Sequence, residues 1–261
     1  MATVPERISI SGISMEIMRA GKGPPLLYLH GGDGIDWNDA ALARLSQSFE
    51  VIAAAHPGFG NSDLPRWMSS VDDLSYVYLD LMDELGLRDA MVWGASFGAW
   101  LAMEIAVKST ARIGRLVLSG AVGVKFGSRE TRDIVDLFSL TPKEQAETLY
   151  SDAARFAPKY SSWPPEALAV VARNREAFAL FGWSPTLHDP KLRQRLHRIR
   201  VPSLVLWGEA DRVVSTEYGR MLAAALPAAQ FHAFAGCGHY PHVEQLEAFA
   251  DAVARFAGRA K

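Results

Sequence analysis

Short apolar runs alternate along this chain with longer segments whose apolar positions recur every three or four residues, the pattern of a mostly parallel sheet wrapped by helices. Leu26-Leu27-Tyr28-Leu29 predicts a strand ending at His30, and Val51-Ile52-Ala53-Ala54 predicts another ending before His56-Pro57-Gly58. Ser70, with Asp73 three residues on, predicts a capped helix. Its apolar stripe is Val71, Leu74, Tyr78, Leu81 and Leu85, and Gly86 ends it. Asp89 to Trp93 and Leu116 to Leu118 predict strands, with a helix from Ala99 to Val107 between them. Over residues 122–200 the alternation stops. This stretch has helix-like spacing, prolines and many aromatics, including Phe126, Phe138, Tyr150, Phe178 and Phe181, but no strand signal. Alternation resumes with a strand at Ser203 to Trp207, a helix from about Ser215 to Leu226, a strand near Phe231 and a last helix carrying Leu246, Phe249, Val253 and Phe256. The pattern therefore predicts an α/β core over 1–121 and 201–261, with 122–200 inserted in the second half as a helical cap. Most of the cap's aromatics are expected to pack on the core, and two or three to face a pocket.

Composition narrows the partners. At 261 residues, 49% apolar and 21% charged, the chain has the makeup of an ordinary globular domain with one sizeable core. A formal net charge of -2 gives no electrostatic case for nucleic acid. The locally basic Lys191 to Arg200 alternates with Leu192, Leu196 and Ile199, as a solvated helix face would. The single cysteine, Cys237, excludes an intrachain disulfide framework, argues against a cysteine zinc site and is expected to be a packing residue. Ala90 to Val107 is apolar enough to suggest a membrane span, but Gly94, Ser96 and Gly98 in its middle point to strand, turn and buried helix. The N-terminus lacks the basic start and apolar core of a leader, so a cytoplasmic protein with no membrane partner is expected.

The chemistry centres on Gly94-Ala95-Ser96-Phe97-Gly98, a G-x-S-x-G between a predicted strand and a predicted helix. Such a turn is so tight that positions two either side of the serine must be small, and the hydroxyl is left projecting above the strand ends. A serine needs a base within hydrogen-bond reach, and the base needs a carboxylate to fix its tautomer. His239, in the glycine-rich Gly236-Cys237-Gly238-His239 loop, is the best-placed base. Asp211, in Gly208-Glu209-Ala210-Asp211, is the best carboxylate, with Glu209 as its rival. His242 is expected at the surface or in a supporting position, and His188, His197 and His232 in structural or exposed ones. No His or carboxylate pair has ligand spacing, and neither Gly21-Lys22-Gly23 nor Gly31-Gly32-Asp33-Gly34 fits a phosphate-binding fingerprint. No metal and no cofactor is implied.

From about Pro24 to Phe256 the arrangement resembles the α/β-hydrolase family. The resemblance rests on the elbow, the acid loop, the base loop, His30-Gly31-Gly32 and His56-Pro57-Gly58-Phe59-Gly60-Asn61-Ser62, all in family order. It implies an oxyanion hole formed by the N–H groups of Gly32 and Phe97. His56 departs from the aspartate common in the family, at a position outside the triad. Asp33, beside the oxyanion loop, is expected to turn away and cap a local helix; the alternative is a contact with a cationic substrate group. The leading functional expectation is a serine hydrolase of a small to medium, largely apolar carboxylic ester. The alternatives are carbon–carbon bond hydrolysis of a diketone-like substrate and, outside enzymes, a ligand receptor that reuses the fold.

Overall fold

The computed structural model describes residues 5–36 and 39–258; Met1 to Val4, part of the stretch read for a leader, lie outside them. The first half comprises β1 (Glu6–Ile10), β2 (Ile13–Ala20), β3 (Pro25–Leu29), α1 (Ala40–Leu45), β4 (Glu50–Ala54), α2 (Val71–Glu84), β5 (Ala90–Ala95), α3 (Phe97–Lys108) and β6 (Ile113–Ser119). Residues 122–200 hold β7 (Gly123–Val124), α4 (Pro142–Leu149), α5 (Ala153–Phe156), α6 (Pro165–Gly182), β8 (His188–Asp189) and α7 (Leu192–Arg195). The chain closes with β9 (Ser203–Gly208), α8 (Thr216–Ala225), β10 (Ala229–Phe234), α9 (Pro241–Glu244) and α10 (Leu246–Phe256).

Eight strands form one sheet in the order β1-β2-β4-β3-β5-β6-β9-β10. β1 and β2, and β2 and β4, pair antiparallel; the remaining neighbours are parallel. The hairpin of β1 and β2 was not anticipated from sequence. Its signal was present: Ser11-Gly12, both at positive φ, joins alternating Ile8-Ile10 and Ile13-Met15-Ile17. β7 and β8 also correct the expectation that 122–200 lacks strands, because they pair over two residues across the base of that segment.

Alternate residues of the central strands enter two separate cores. Leu27, Val92, Leu116, Leu118 and Val205 pack with α2, α3 and α8 on one face; Leu26, Trp93, Val117 and Leu204 pack with α1 and α10 on the other. Burial on both faces is why these strands read as continuous apolar runs. It also explains the Ala90–Val107 stretch, which divides at Ser96 into β5 and α3. No described helix is long and apolar enough to cross a membrane.

α2 begins at the predicted capping box. Asp73 N–H donates to Ser70 Oγ at 3.1 Å, and Ser70 N–H donates to Asp73 Oδ2 at 3.0 Å. Ser70→Ala removes one arm of this box. It should lower unfolding stability by about 1 kcal/mol, read as a shifted urea midpoint at unchanged slope.

Candidate active site

Ser96 sits between the end of β5 and the first turn of α3 at φ 53°, ψ -114°, a backbone conformation rare for a residue with a side chain. Crowding enforces it. A Cβ on Gly98 would overlap the carbonyls of Leu29 and His30, and one on Gly94 would lie 2.5 Å from Ala99 Cα. The Ser96 N–H donates to Ser119 O on β6 at 2.8 Å, which ties the turn to the sheet.

The strand ends bring three distant side chains together. Ser96 Oγ lies 2.8 Å from His239 Nε2, and His239 Nδ1 lies 2.8 Å from Asp211 Oδ2. The His239 and Asp211 side chains are 0% exposed. Asp211 Oδ1 accepts from the N–H groups of Val213 at 2.8 Å and Val214 at 3.1 Å. Those donors orient the carboxylate, so the network assigns the His239 proton to Nδ1 and leaves Nε2 to accept from the serine. The base loop is fixed from the opposite side: His239 N–H donates to Leu149 O at 2.8 Å, and Gly238 N–H to Glu244 Oε1 at 3.1 Å. Glu244 also binds the N–H and hydroxyl of Ser151. Sequence reasoning assigned Glu244 no role, and its contacts, made between α9 and the α4–α5 link, become visible only in the fold. Glu209, the rival acid, is exposed.

The His30-Gly31-Gly32 loop leaves β3 beside this relay. Neither Gly32 N–H nor Phe97 N–H has a hydrogen-bond partner among the described residues, so both can donate to a bound group. A stacked pair of buried histidines holds the loop, with ring centroids 3.6 Å apart. His30 Nε2 accepts from His56 N–H at 2.9 Å, while His56 Nε2 lies 3.1 Å from His30 O and His56 Nδ1 2.5 Å from the Tyr78 hydroxyl. Burial pushes His30 down to about 3 and His56 well below the usual range, so both are neutral at pH 7. His56, where the resemblance leads one to expect an aspartate, therefore supports the Gly32 loop without adding a charge.

Above Ser96 lies a cavity of about 220 Å³ lined by Gly32, Asp33, Leu137, Phe138, Gln145, Leu149, Arg175, Phe178 and Tyr240. Two of the expected aromatics, Phe138 and Phe178, face it. Phe178 covers Gly32 so closely that a Cβ there would meet its ring at 2.7 Å. Asp33 does not cap a helix, contrary to expectation: Asp39 caps α1, and Asp33 instead turns its carboxylate to this cavity. Of the two expectations for His242, the surface one fails: it is buried among the rings of Trp93, Tyr240 and Phe249, and its Nδ1 has no partner among the described residues. Cys237 is fully buried, and burial, followed by the charges of Glu244 and Asp211, pushes its thiol up to about 12, as suits packing rather than reactivity.

A mostly parallel sheet whose strand ends carry an elbow serine, a carboxylate-held histidine and two unpaired backbone N–H groups is the arrangement of a class of hydrolase. Residues 26–252 match the model of the Alpha/beta hydrolase family, and the chain belongs to that family. It is 29% identical over 288 residues to the 2-hydroxymuconate semialdehyde hydrolase of Pseudomonas putida, covering 97% of this chain and 94% of that one. It is 32% identical over 258 residues to the 2-hydroxy-6-oxononadienedioate/2-hydroxy-6-oxononatrienedioate hydrolase of Paraburkholderia phymatum, covering 92% and 88%. In structure it is similar to a meta-cleavage product hydrolase from Pseudomonas fluorescens IP01, with TM-score 0.80, 23% identity and 98% of each chain covered. It is also similar to an esterase from Rhodococcus sp. ECU1013, with TM-score 0.75, 22% identity and both chains covered fully. These two likenesses show the shared fold.

The buried histidines make folding sensitive to acid. Burial, followed by the charge of His239, pushes His242 down to about 3, whereas the unfolded residue titrates near 6.5. Between those values the unfolded chain binds a proton that the folded chain refuses, so stability falls as pH drops below about 6.5. His242→Phe should reduce that loss by about 1.4 kcal/mol per pH unit between pH 6 and 4, measured as urea midpoints across pH.

Proposed function

We propose that this hydrolase uses Ser96, His239 and Asp211 to cleave a carbon–carbon bond in a conjugated keto acid, the substrate type for which its curated relatives are named. The observation that carries this reading is Arg175. Its guanidinium lines the cavity above Ser96 and has no ion-pair partner among the described residues. A substrate carboxylate supplies that partner; a neutral alkyl ester does not. The wall is divided accordingly. Leu137, Phe138, Leu149 and Phe178 offer apolar surface, while Asp33, Gln145, Arg175 and Tyr240 offer polar groups. In this reading residues 122–200 act as the cap, since Leu137 through Phe178 all come from that segment. The apolar ester favoured from sequence gives way because it would leave this polar wall unused.

Ser96 Oγ adds to the ketone carbon while His239 Nε2 takes its proton. The oxyanion rests on the N–H groups of Gly32 and Phe97, each worth roughly 3 kcal/mol of barrier. Asp211 holds the imidazolium that forms. In a 2-hydroxy-dienoate the enol first ketonises, its O–H proton moving to the carbon that will depart, so that this carbon becomes conjugated through the remaining double bond to a new carbonyl. As the oxyanion collapses, the carbon–carbon bond breaks, its electron pair leaves as the dienolate of that carbonyl, and the dienolate takes the proton from His239. Water, deprotonated by His239, then hydrolyses the acyl ester on Ser96 and releases a carboxylic acid.

Loss of the dienoate absorbance reports the reaction. A 2-hydroxy-6-oxo-2,4-dienoate should be turned over with a kcat/KM at least about 100-fold above that for p-nitrophenyl acetate. Arg175→Gln should lower kcat/KM for the dienoate roughly 10- to 100-fold, mainly through KM, with a several-fold smaller loss on the neutral ester. Faster turnover of the ester than of any dienoate would overturn the carbon–carbon reading.

A further inference from the structure

Asp33 stands beside Gly32 in the loop proposed to hold the oxyanion, where a negative charge serves no purpose in stabilising an alkoxide. It is nevertheless held there. Gly34 N–H donates to Gly31 O at 3.2 Å, closing a turn over residues 31–34. The Asp33 carbonyl accepts from Asn174 Nδ2 at 2.8 Å, and Asn174 Oδ1 accepts from Gly60 N–H at 2.8 Å. Asn174 is itself buried on α6 and occupies the space of any side chain at position 34, where φ is 92°. The carboxylate that this clamp presents uses one oxygen internally: Oδ2 accepts from the Tyr240 hydroxyl at 3.1 Å. Oδ1 has no hydrogen-bond partner among the described residues, and the residue is open to the cavity. Protein packed around the carboxyl pushes its pKa up from the ordinary value, opposed by Tyr240, Arg175 and His239.

Asp33 and Arg175 thus line one small cavity with opposite charges and form no ion pair with each other. A ligand that satisfies both must offer an acceptor to the guanidinium and a donor to the carboxylate. We propose that Asp33 is a specificity-determining residue whose free oxygen accepts a hydrogen bond from a hydroxyl on the substrate, so that the site selects hydroxylated carboxylic acids over their deoxy counterparts. A hydroxyl suits this position better than an ammonium. Asp33 already shares its charge with the Tyr240 hydroxyl, and an ammonium would have to shed a far larger hydration cost to enter beside an apolar wall. The same preference discriminates between tautomers, because an enol carries the O–H that its ketone lacks. The proposal rests on this cavity being the substrate site of the proposed hydrolase, whichever bond is cleaved.

Non-hydrolysable carboxylates separate the two readings. Calorimetric titration with 2-hydroxypentanoate, pentanoate and 2-aminopentanoate needs no turnover. The wild-type protein should bind 2-hydroxypentanoate about 10-fold more tightly than pentanoate, the effect of one hydrogen bond to a charged group. Asp33→Ala should reduce that preference below about 2-fold, while Tyr240→Phe should retain it, since the ligand bonds the other oxygen. No wild-type preference, a preference that survives Asp33→Ala, one abolished instead by Tyr240→Phe, or tighter binding of 2-aminopentanoate would each overturn the proposal. The wild-type ratio decides alone if Asp33→Ala does not fold. Hydroxyl preference without dienoate turnover would sink the carbon–carbon reading and leave this inference standing; dienoate turnover without the preference would do the reverse.

Discussion

The molecule is organised around a turn with no room for side chains at positions 94 and 98. With Gly98 against the carbonyls of Leu29 and His30, the first turn of α3 lies at the end of β3, where the Gly32 loop begins. That approach is possible only if Ser96 accepts a positive φ, a strain of about 1–3 kcal/mol. Burial of all of β5 between two cores and the Ser96–Ser119 backbone bond over-determine the conformation. The helix thus brings an unsatisfied N–H at Phe97 next to the serine, a backbone donor that needs no further side chain to position it.

What could be read from sequence follows from what each feature depends on. That Ser96, Asp211 and His239 come together was legible because each follows a strand, and parallel strands place their ends on one edge of the sheet. The capping box at Ser70 is local and needed no fold to be seen. The β1–β2 hairpin was overlooked although Ser11-Gly12 marks it, because its strands alternate instead of running continuously apolar. The direction of Asp33 was beyond sequence, since it is decided by Asn174, Gly60 and Tyr240, which come from three other parts of the chain. Whether His242 lay at the surface or inside could not be decided for a related reason: α9 is too short to show a buried face, and the aromatic rings that enclose the imidazole come from β5, α10 and the base loop.

The segment over the sheet does more than cover it. α6 reaches the core loops through Asn174 and through Arg173, whose guanidinium donates to Gly58 O and Ser62 O. On the same helix Phe178 roofs Gly32 and Arg175 lines the cavity. The helix that shapes the pocket is therefore also bonded to the loop proposed to hold the oxyanion. Residues 149–151 attach in the same way to the base loop, directly through Leu149 O and by way of Glu244, which binds both Ser151 and Gly238. Selectivity and catalytic geometry in this reading depend on the same contacts, and a change in the segment is expected to affect both.

The central claim is that Ser96 is a nucleophile activated by His239. Treatment of the folded protein with a fluorophosphonate, followed by intact mass and peptide mapping, tests it most directly. The account predicts one adduct per chain, on Ser96, formed far more slowly when His239 is replaced by Ala. No adduct on protein that is otherwise active, or an adduct on any other residue, would contradict it.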